Sequence, residues 1–210
     1  MKNSWQKRLS LAEATLAEDP VIKRLITAYG PCTITPHTDY YRQLVSSIIG
    51  QQLSVKAAAT IFDRFLALYS GEMPTPEQII ATDIEDLRQI GCSYNKARYI
   101  QDLASHILDG RLHLQELSIL SNEAVIEQLV AVKGIGEWSA HMFMMFSLGR
   151  LDILPTGDLG IKKGMMNLYG LPALPSPEQM HSIASANNWS PYQTVASWYV
   201  WQSLDNSPKL

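Results

Sequence analysis

The stretch VKGIGEWSA at residues 132–140 places one isoleucine between two glycines and then leads directly into an apolar helical segment. Glycine allows positive φ and the close approach of another backbone, while Ile135 can turn back into the core. The next helix offers unpaired N–H groups and the positive end of its dipole, which suit a phosphate oxygen. We therefore expect a hairpin at 132–137 that binds a phosphate backbone with few basic side chains. The alternative is a plain tight turn between two helices.

Length and composition are those of an ordinary globular protein. The 210 residues are 46% hydrophobic and 18% charged. A chain of this length can bury a hydrophobic core within one large domain or two small ones. The formal net charge of -3 excludes a generally cationic nucleic-acid coat but not a local basic face. Two cysteines cannot form a disulfide framework or a four-cysteine metal cluster. Without a signal-peptide core or a membrane-spanning run, we expect a cytoplasmic protein with no membrane partner.

Helix-starting signals recur along the chain and predict about ten or eleven helices. No segment has the alternating polarity of a half-buried strand, so the predicted fold class is all-α. The segment at 138–149, WSAHMFMMFSLG, is apolar on nearly every side and belongs at the centre of a domain. The predicted N-caps are Asp19, Thr38, Ser54, Thr75, Ser93, Ser121 or Asn122, and Asp158, with Ser176-Pro177 and Ser190-Pro191 opening the last two helices.

A second motif, LPTGDLGIKK, follows the hairpin by about twenty residues and carries a lone aspartate, Asp158. Taken alone, this residue is explained as a helix N-cap, although the helix dipole there also favours a negative charge. The segments LVAVKGIGEWSAHMF and ILPTGDLGIKKG, with SIIGQQLSVKAA (47–58) and GCSYNKARYI (91–100), resemble the helix-hairpin-helix DNA glycosylase superfamily. More particularly they resemble its alkyl-base branch, the DNA-3-methyladenine glycosylase II type. The resemblance spans roughly residues 40–205.

The resemblance implies two helical subdomains flanking a DNA-binding cleft. One comprises residues 38–150 and contains the hairpin, and the other is formed by both termini, 1–37 and 151–210. It also implies a monomeric, monofunctional enzyme that flips alkylated purines, such as 3-methyladenine and 7-methylguanine, out of double-stranded DNA. Hydrolysis of the N-glycosidic bond then leaves an abasic site for base excision repair. In bifunctional relatives a Schiff-base lysine follows the second hairpin glycine by two residues, whereas here that residue is Trp138.

Two other classes of function compete with this one. A non-catalytic DNA-binding or lesion-sensing protein could use the same hairpin, but it would not need a carboxylate facing the sugar, so Asp158 discriminates against it. A helical interaction module without a nucleic-acid role leaves the combination of hairpin, aspartate and aromatic residues unexplained. The five histidines show no ligand pairing, so we expect no metal site and no cofactor, although a monovalent cation at the hairpin is compatible with the superfamily.

The resemblance assigns the catalytic role to Asp158, because base excision leaves an oxocarbenium-like sugar that a fixed anion can stabilise. Trp138 and Trp201 are the expected stacking partners of a cationic base, with Tyr41 a weaker candidate. Met142 stands at a pocket position where some relatives have an aromatic residue, which leaves the range of accepted bases open. Three neighbouring residues have structural explanations: Trp198 as a core residue, Asp152 as a surface or structural carboxylate, and His141 as a hydrogen-bonded histidine.

The turn GQQLS at residues 50–54 is the candidate wedge, since flipping a nucleotide leaves a gap that Gln52 or Leu53 could fill from the minor groove. A plain interhelical turn capped by Ser54 is the alternative. Lys56, Arg98 and Lys162 are possible phosphate contacts or merely solvated helix faces. The full set of expected DNA-binding residues is Lys133, Gly134, Ile135, Gly136, Ser139, Gln51, Gln52, Leu53 and Lys96.

Overall fold

The computed structural model describes residues 2–205, and within that range the chain forms twelve helices and no strand. The prediction of an all-α fold is confirmed. No helix in this range is both long and apolar enough to span a membrane. The helices are α1 (Lys2–Leu16), α2 (Pro20–Tyr29), α3 (Tyr40–Gly50), α4 (Val55–Ala67), α5 (Pro76–Ala81), α6 (Ile84–Gln89), α7 (Tyr94–Leu108), α8 (Asn122–Val130), α9 (Glu137–Phe146), α10 (Leu159–Leu168), α11 (Pro177–Ala186) and α12 (Gln193–Asp205).

Most helices begin where the sequence predicts, because a short polar side chain accepts a backbone N–H of the first turn. In two of them, those after Thr75 and Ser176, the N3 glutamine also bonds back to the N-cap backbone and completes a capping box. The confirmed N-caps are Asp19, Ser54, Thr75, Ser93, Ser121, Asp158 and Ser176.

Two predicted helix starts are wrong. Helix α3 is capped by Asp39, which accepts the Arg42 N–H at 3.0 Å, and not by Thr38 one residue earlier. The last helix begins at Gln193 and not directly after Ser190-Pro191. The Ser190 hydroxyl donates instead to Asp152 at 2.8 Å and is therefore committed to the loop before α10. The short helix α6, capped by Asp83, was not predicted: its six residues are too few to show a helical period, and it lacks the first-turn proline that indicated α5, which is equally short.

The chain divides into two compact units. The middle unit comprises His37–Phe143, and the terminal unit comprises the two ends of the chain, up to Pro36 and from Met144 onward. In the middle unit α7 packs against α3, α5 and α6. Its core includes the fully buried side chains of Ile48, Phe65 and Leu103.

The terminal unit is held together by buried polar contacts as well as by its apolar core. Asp19 caps α2 and also accepts the Tyr169 hydroxyl at 2.5 Å and the Trp189 indole N–H at 2.9 Å. Burial, followed by the hydrogen bond to Asp19, raises the pKa of Tyr169, so its hydroxyl stays a donor. Trp198 packs against this core, as predicted. Helices α2, α10 and α12 are thereby fixed relative to one another within the unit.

Candidate functional site

The two glycines of the hairpin do different things. Gly134 has φ +84°, and a Cβ there would lie 2.2 Å from Cδ2 of Tyr99, so the backbone rests directly on that ring. Gly136 has no positive φ, and a Cβ there would meet no atom of residues 2–205 within 4 Å. Ile135, between them, is 5% exposed and enters the core as predicted. The first glycine is therefore required by packing within the protein, and the second leaves open space at the surface.

That open space lies at the start of α9, which begins at Glu137. Gly136 precedes the helix, and because it has no side chain it cannot cap the first-turn N–H groups. Its carbonyl accepts the Ala140 N–H at 3.0 Å, which is the first hydrogen bond of the helix. Trp138 in the first turn is 47% exposed, and Ser139 and Met142 are partly exposed. The open side of Gly136 and the first N–H groups of α9 are therefore a candidate site for an anion, and the Glu137 carboxylate lies in the same turn.

Two side chains from elsewhere in the middle unit hold the hairpin. The Gln51 amide donates to the Gly134 carbonyl oxygen at 2.7 Å. The Asp102 carboxylate accepts the Lys133 backbone N–H at 2.8 Å, and its other oxygen lies 3.6 Å from the Lys133 ammonium. The Lys133 side chain is itself 75% exposed and extends toward solvent. Neither of these contacts was expected from the sequence.

The candidate wedge turn links α3 to α4. Gln52 is exposed and has φ +57°, a left-handed conformation that is uncommon for a residue other than glycine. Leu53 is 38% exposed, and Val55 beyond the Ser54 cap is 90% exposed. Backbone strain of this kind clusters at functional sites. The turn therefore presents Gln52 and Leu53 to solvent, while Gln51 faces inward to the hairpin.

The basic residues proposed as phosphate contacts differ in their surroundings. The Lys96 ammonium donates to the Ile49 carbonyl at 2.8 Å, in the last turn of α3, and burial lowers its pKa. Arg98 is exposed and lies over the Tyr94 ring, 5.4 Å from its centre. Lys56 is exposed and Lys162 is half-buried. Lys96 is thus already used in holding the wedge turn.

In the terminal unit, Asp158 sits at the start of α10 and its Oδ1 accepts two hydrogen bonds. One comes from the Ile161 backbone N–H at 2.8 Å and the other from the Trp201 indole at 3.0 Å. The Trp201 ring also lies 5.9 Å from that of Phe146. A Cβ on Gly160 would come within 2.9 Å of Asp158 Oδ1 and 3.1 Å of Trp201 Nε1. The absence of a side chain at Gly160 therefore leaves room for Asp158 and Trp201 to meet. This glycine, two residues after Asp158, was a feature of the sequence that could have indicated a close contact there.

Asp152, six residues before Asp158, has the structural role that was expected for it. It accepts the Ser190 hydroxyl and the Gln193 amide, both at 2.8 Å. These bonds tie the loop before α10 to the segment that leads into α12. The two carboxylates of this loop therefore have separate partners.

Two further candidates lie within the middle unit. The Tyr41 hydroxyl is buried and has no hydrogen-bond partner among residues 2–205, and burial, with Tyr69 and Glu77 nearby, raises its pKa. The expectation of a hydrogen-bonded His141 is wrong for one ring nitrogen. Nδ1 is buried without a partner in the described part of the chain, and Nε2 lies 3.9 Å from the Glu137 carboxylate. Burial lowers the pKa of His141. Among residues 2–205 no cluster of three or more histidine, cysteine or carboxylate side chains could hold a metal ion.

Comparison with known proteins identifies the family. Residues 45–188 match the family described as HhH-GPD superfamily base excision DNA repair protein. The chain belongs to this superfamily. The resemblance noted in the sequence is thereby confirmed.

Relatives of this HhH-GPD protein cover most of its length. The alkylbase DNA glycosidase-like protein mag2 of Schizosaccharomyces pombe is 35% identical over 183 residues, which cover 85% of each chain. The crystal structure of DNA-3-methyladenine glycosidase from Bacillus halodurans has a TM-score of 0.82 and 40% identity, covering 91% of this chain and 88% of that one. The 3-methyladenine DNA glycosylase Mag1 of S. pombe, solved in complex with abasic DNA, has a TM-score of 0.78 and 34% identity, covering 95% and 98%.

Proposed function

We propose that this HhH-GPD protein is a monofunctional DNA glycosylase that hydrolyses the N-glycosidic bond of alkylated purines in double-stranded DNA. The observation that carries the proposal is Asp158, a carboxylate held at the start of α10 by the Ile161 N–H and the Trp201 indole. The names of the relatives, 3-methyladenine glycosylases and an alkylbase glycosidase-like protein, support the choice of substrate. The substrates are 3-methyladenine and 7-methylguanine, and the product is an abasic site.

The chemistry requires an anion at the sugar. An alkylated purine carries a positive charge, so the C1′–N bond breaks with its electron pair leaving on the base, which departs neutral. The sugar then carries the positive charge of an oxocarbenium ion, which the Asp158 carboxylate stabilises. The same carboxylate orients a water molecule and takes its proton as the hydroxyl adds to C1′. Two hydrogen bonds to Oδ1 fix the carboxylate before the substrate arrives.

The middle unit supplies the DNA-binding elements of the proposal. A phosphate oxygen approaches the open side of Gly136 and the first N–H groups of α9, with the exposed Lys133 ammonium adding a cation. Gln52 or Leu53 fills the gap in the duplex, and Trp138 stacks on a flipped base. The proposed enzyme acts as a monomer.

The absence of lyase activity follows from the residue at position 138. A Schiff base needs an amine, and the residue two positions after Gly136 is a tryptophan. The protein is therefore expected to leave the sugar-phosphate backbone intact. Borohydride should trap no covalent complex with a substrate duplex, whereas a bifunctional glycosylase run in parallel should be trapped.

The decisive experiment is base release from duplex DNA treated with a methylating agent. Chromatography of the supernatant should show 3-methyladenine or 7-methylguanine, and strand breaks should appear only after alkali treatment. The matched control is Asp158→Asn, which should release neither base. If the parent protein binds the methylated duplex but releases no base, the proposal fails and a lesion-sensing role takes its place.

A further inference from the structure

One face of α7 contacts both DNA-binding elements of the middle unit. Lys96, Tyr99 and Asp102 are three residues apart and so share a face of the helix. Lys96 donates to the Ile49 carbonyl at the base of the wedge turn. The Tyr99 ring lies under Gly134, and Asp102 accepts the Lys133 backbone N–H. The wedge turn and the hairpin are thus built on one support.

Gln51 joins the two elements directly. It lies in the wedge turn, and its amide donates to the Gly134 carbonyl across 83 residues of sequence, at 2.7 Å. Gln51 is half-buried, whereas its neighbour Gln52 is exposed in a left-handed conformation. The two adjacent glutamines therefore face opposite ways, one toward the hairpin and one toward solvent.

We propose that Gln51 and Asp102 are positioning residues that hold the hairpin in register with the wedge turn. Because both ends of this connection are fixed, phosphate binding at Gly136 and insertion at Gln52 and Leu53 act as one rigid unit. The assignment rests on the proposed function, and it reverses the expectation that Gln51 contacts DNA. In this arrangement Gln51 reaches the DNA only through the hairpin.

The test compares Gln51→Met with a matched control, Gln101→Met. Gln101 also donates its amide to a backbone carbonyl in the middle unit, that of Thr82 at 2.9 Å, but it does not bond to the hairpin. The two variants should lower the melting temperature to a similar extent. Hydrogen exchange of the free protein should then separate them: Gln51→Met should speed exchange of the 132–136 amides about fivefold to tenfold, as expected for one lost hydrogen bond, and Gln101→Met should not.

Asp102 provides a second and independent variant. Asp102→Asn keeps a carbonyl oxygen that can accept the Lys133 N–H, and hairpin exchange should stay within about twofold of the parent. Asp102→Leu removes the acceptor and should speed exchange at the same amides as Gln51→Met does. Equal exchange rates in the leucine and asparagine variants would contradict a positioning role for Asp102.

The coupling to DNA is tested by a double-mutant cycle with Gly136→Ala, whose methyl group occupies the open space at the hairpin. The probe is a duplex containing a tetrahydrofuran abasic analogue, with 2-aminopurine opposite it to report unstacking. Gln51→Met alone should weaken binding about fivefold to tenfold and reduce the 2-aminopurine signal. In the Gly136→Ala background the same change should cost less than about twofold, since the hairpin it acts through is already blocked.

Two outcomes would overturn the inference. One is unchanged hairpin exchange in Gln51→Met, and the other is a full loss of affinity in both backgrounds, which would make Gln51 a direct DNA contact. Failure of the proposed function can be distinguished from failure of this inference. Hydrogen exchange is measured without DNA and tests only the positioning role, whereas base release is measured on the parent protein and tests only the glycosylase activity. A parent that releases no base but shows the exchange and coupling effects loses the glycosylase assignment and keeps the positioning role.

Discussion

Two helices of this protein begin in opposite ways. Helix α9, which begins in the middle unit, follows Gly136, which has no side chain and has open space beside it. Helix α10 in the terminal unit follows Asp158, whose own carboxylate accepts the Ile161 N–H. A helix N-terminus favours negative charge in either case. At α9, Gly136 cannot cap the first N–H groups and Glu137 lies in the first turn, and we propose that a phosphate oxygen binds there. At α10 the chain supplies the capping carboxylate itself, where the proposed reaction needs an anion.

The largest effect should come from removing the charge at α10. Asp158→Asn should lower the rate of base release at least about a thousandfold, by the loss of a preorganised charge at the reaction centre. The free energy of unfolding should change by less than about 0.5 kcal/mol, because asparagine caps a helix as well as aspartate. Measurements are single-turnover base release and chemical denaturation. Asp152→Asn is the matched control and should release bases at the rate of the parent protein. An equal loss of base-release rate in both variants would show that the effect is not specific to Asp158.

The next largest effect distinguishes the two hairpin glycines. Gly134→Ala should lower the free energy of unfolding by about 3 kcal/mol, from the left-handed backbone and the clash with Tyr99. Gly136→Ala should be nearly neutral for stability, because its Cβ has room. It should still weaken duplex binding at least about tenfold, since a hydrogen bond to a charged group is worth about 1.5 to 3 kcal/mol. Chemical denaturation measures the free energy of unfolding, and fluorescence anisotropy measures duplex affinity. A Gly136→Ala variant with the affinity of the parent would contradict phosphate binding at the start of α9.

A smaller effect tests whether the anion at α10 is held by its neighbour. Trp201→Phe keeps an aromatic face and removes the indole N–H that bonds Asp158. The rate of base release at saturating DNA should fall about tenfold, for the loss of one hydrogen bond to a carboxylate, with little change in KM. Trp201→Ala, which also removes the stacking face, should raise KM in addition. A phenylalanine variant with the parental rate would leave Trp201 with a stacking role only.

The smallest effect concerns the charge beside α9. The slope of log affinity against log salt for undamaged duplex should decrease in magnitude by about 0.9 in Lys133→Ala, the value for one phosphate contact. Affinity at any one salt concentration should fall only a few-fold. Lys23→Ala, on the exposed face of α2, is the control and should leave the slope unchanged. The net charge of -3 predicts weak, salt-sensitive binding of undamaged DNA. A tight, salt-insensitive association with undamaged duplex would contradict this prediction.

The sequence predicted most of the local features and few of the long-range ones. N-caps such as Ser54 and Ser176 depend on residues within one turn, and they were found because their chemistry is local. Ile135 was placed in the core for the same reason. The bond from Gln51 to Gly134 and the bond from Trp201 to Asp158 join residues 83 and 43 positions apart. A single sequence does not show which residues pair over such distances, although Gly160 indicates that space is needed beside Asp158. Gln51 was expected to contact DNA, and its bond to the hairpin was not expected.

His141 illustrates a different limit. Its place on a nearly uniformly apolar helix was visible in the sequence, but the absence of a partner for Nδ1 among the described residues was not. Hydrogen-bond satisfaction depends on side-chain positions in neighbouring helices. Sequence patterns predict which residues are buried and say little about whether a buried polar atom finds a partner.

The division of the terminal unit between both ends of the chain has a consequence for how the protein is made. Asp19 is bonded to Trp189, 170 residues later, and α2 packs against α12. Once Phe143 has left the ribosome, every residue of the middle unit is available for folding. The core of the terminal unit also needs the last helices of the chain. Because contacts between residues that are distant in sequence form late, the middle unit, which contains the hairpin, can fold during synthesis. The carboxylate that is proposed to act on the sugar reaches its final surroundings last.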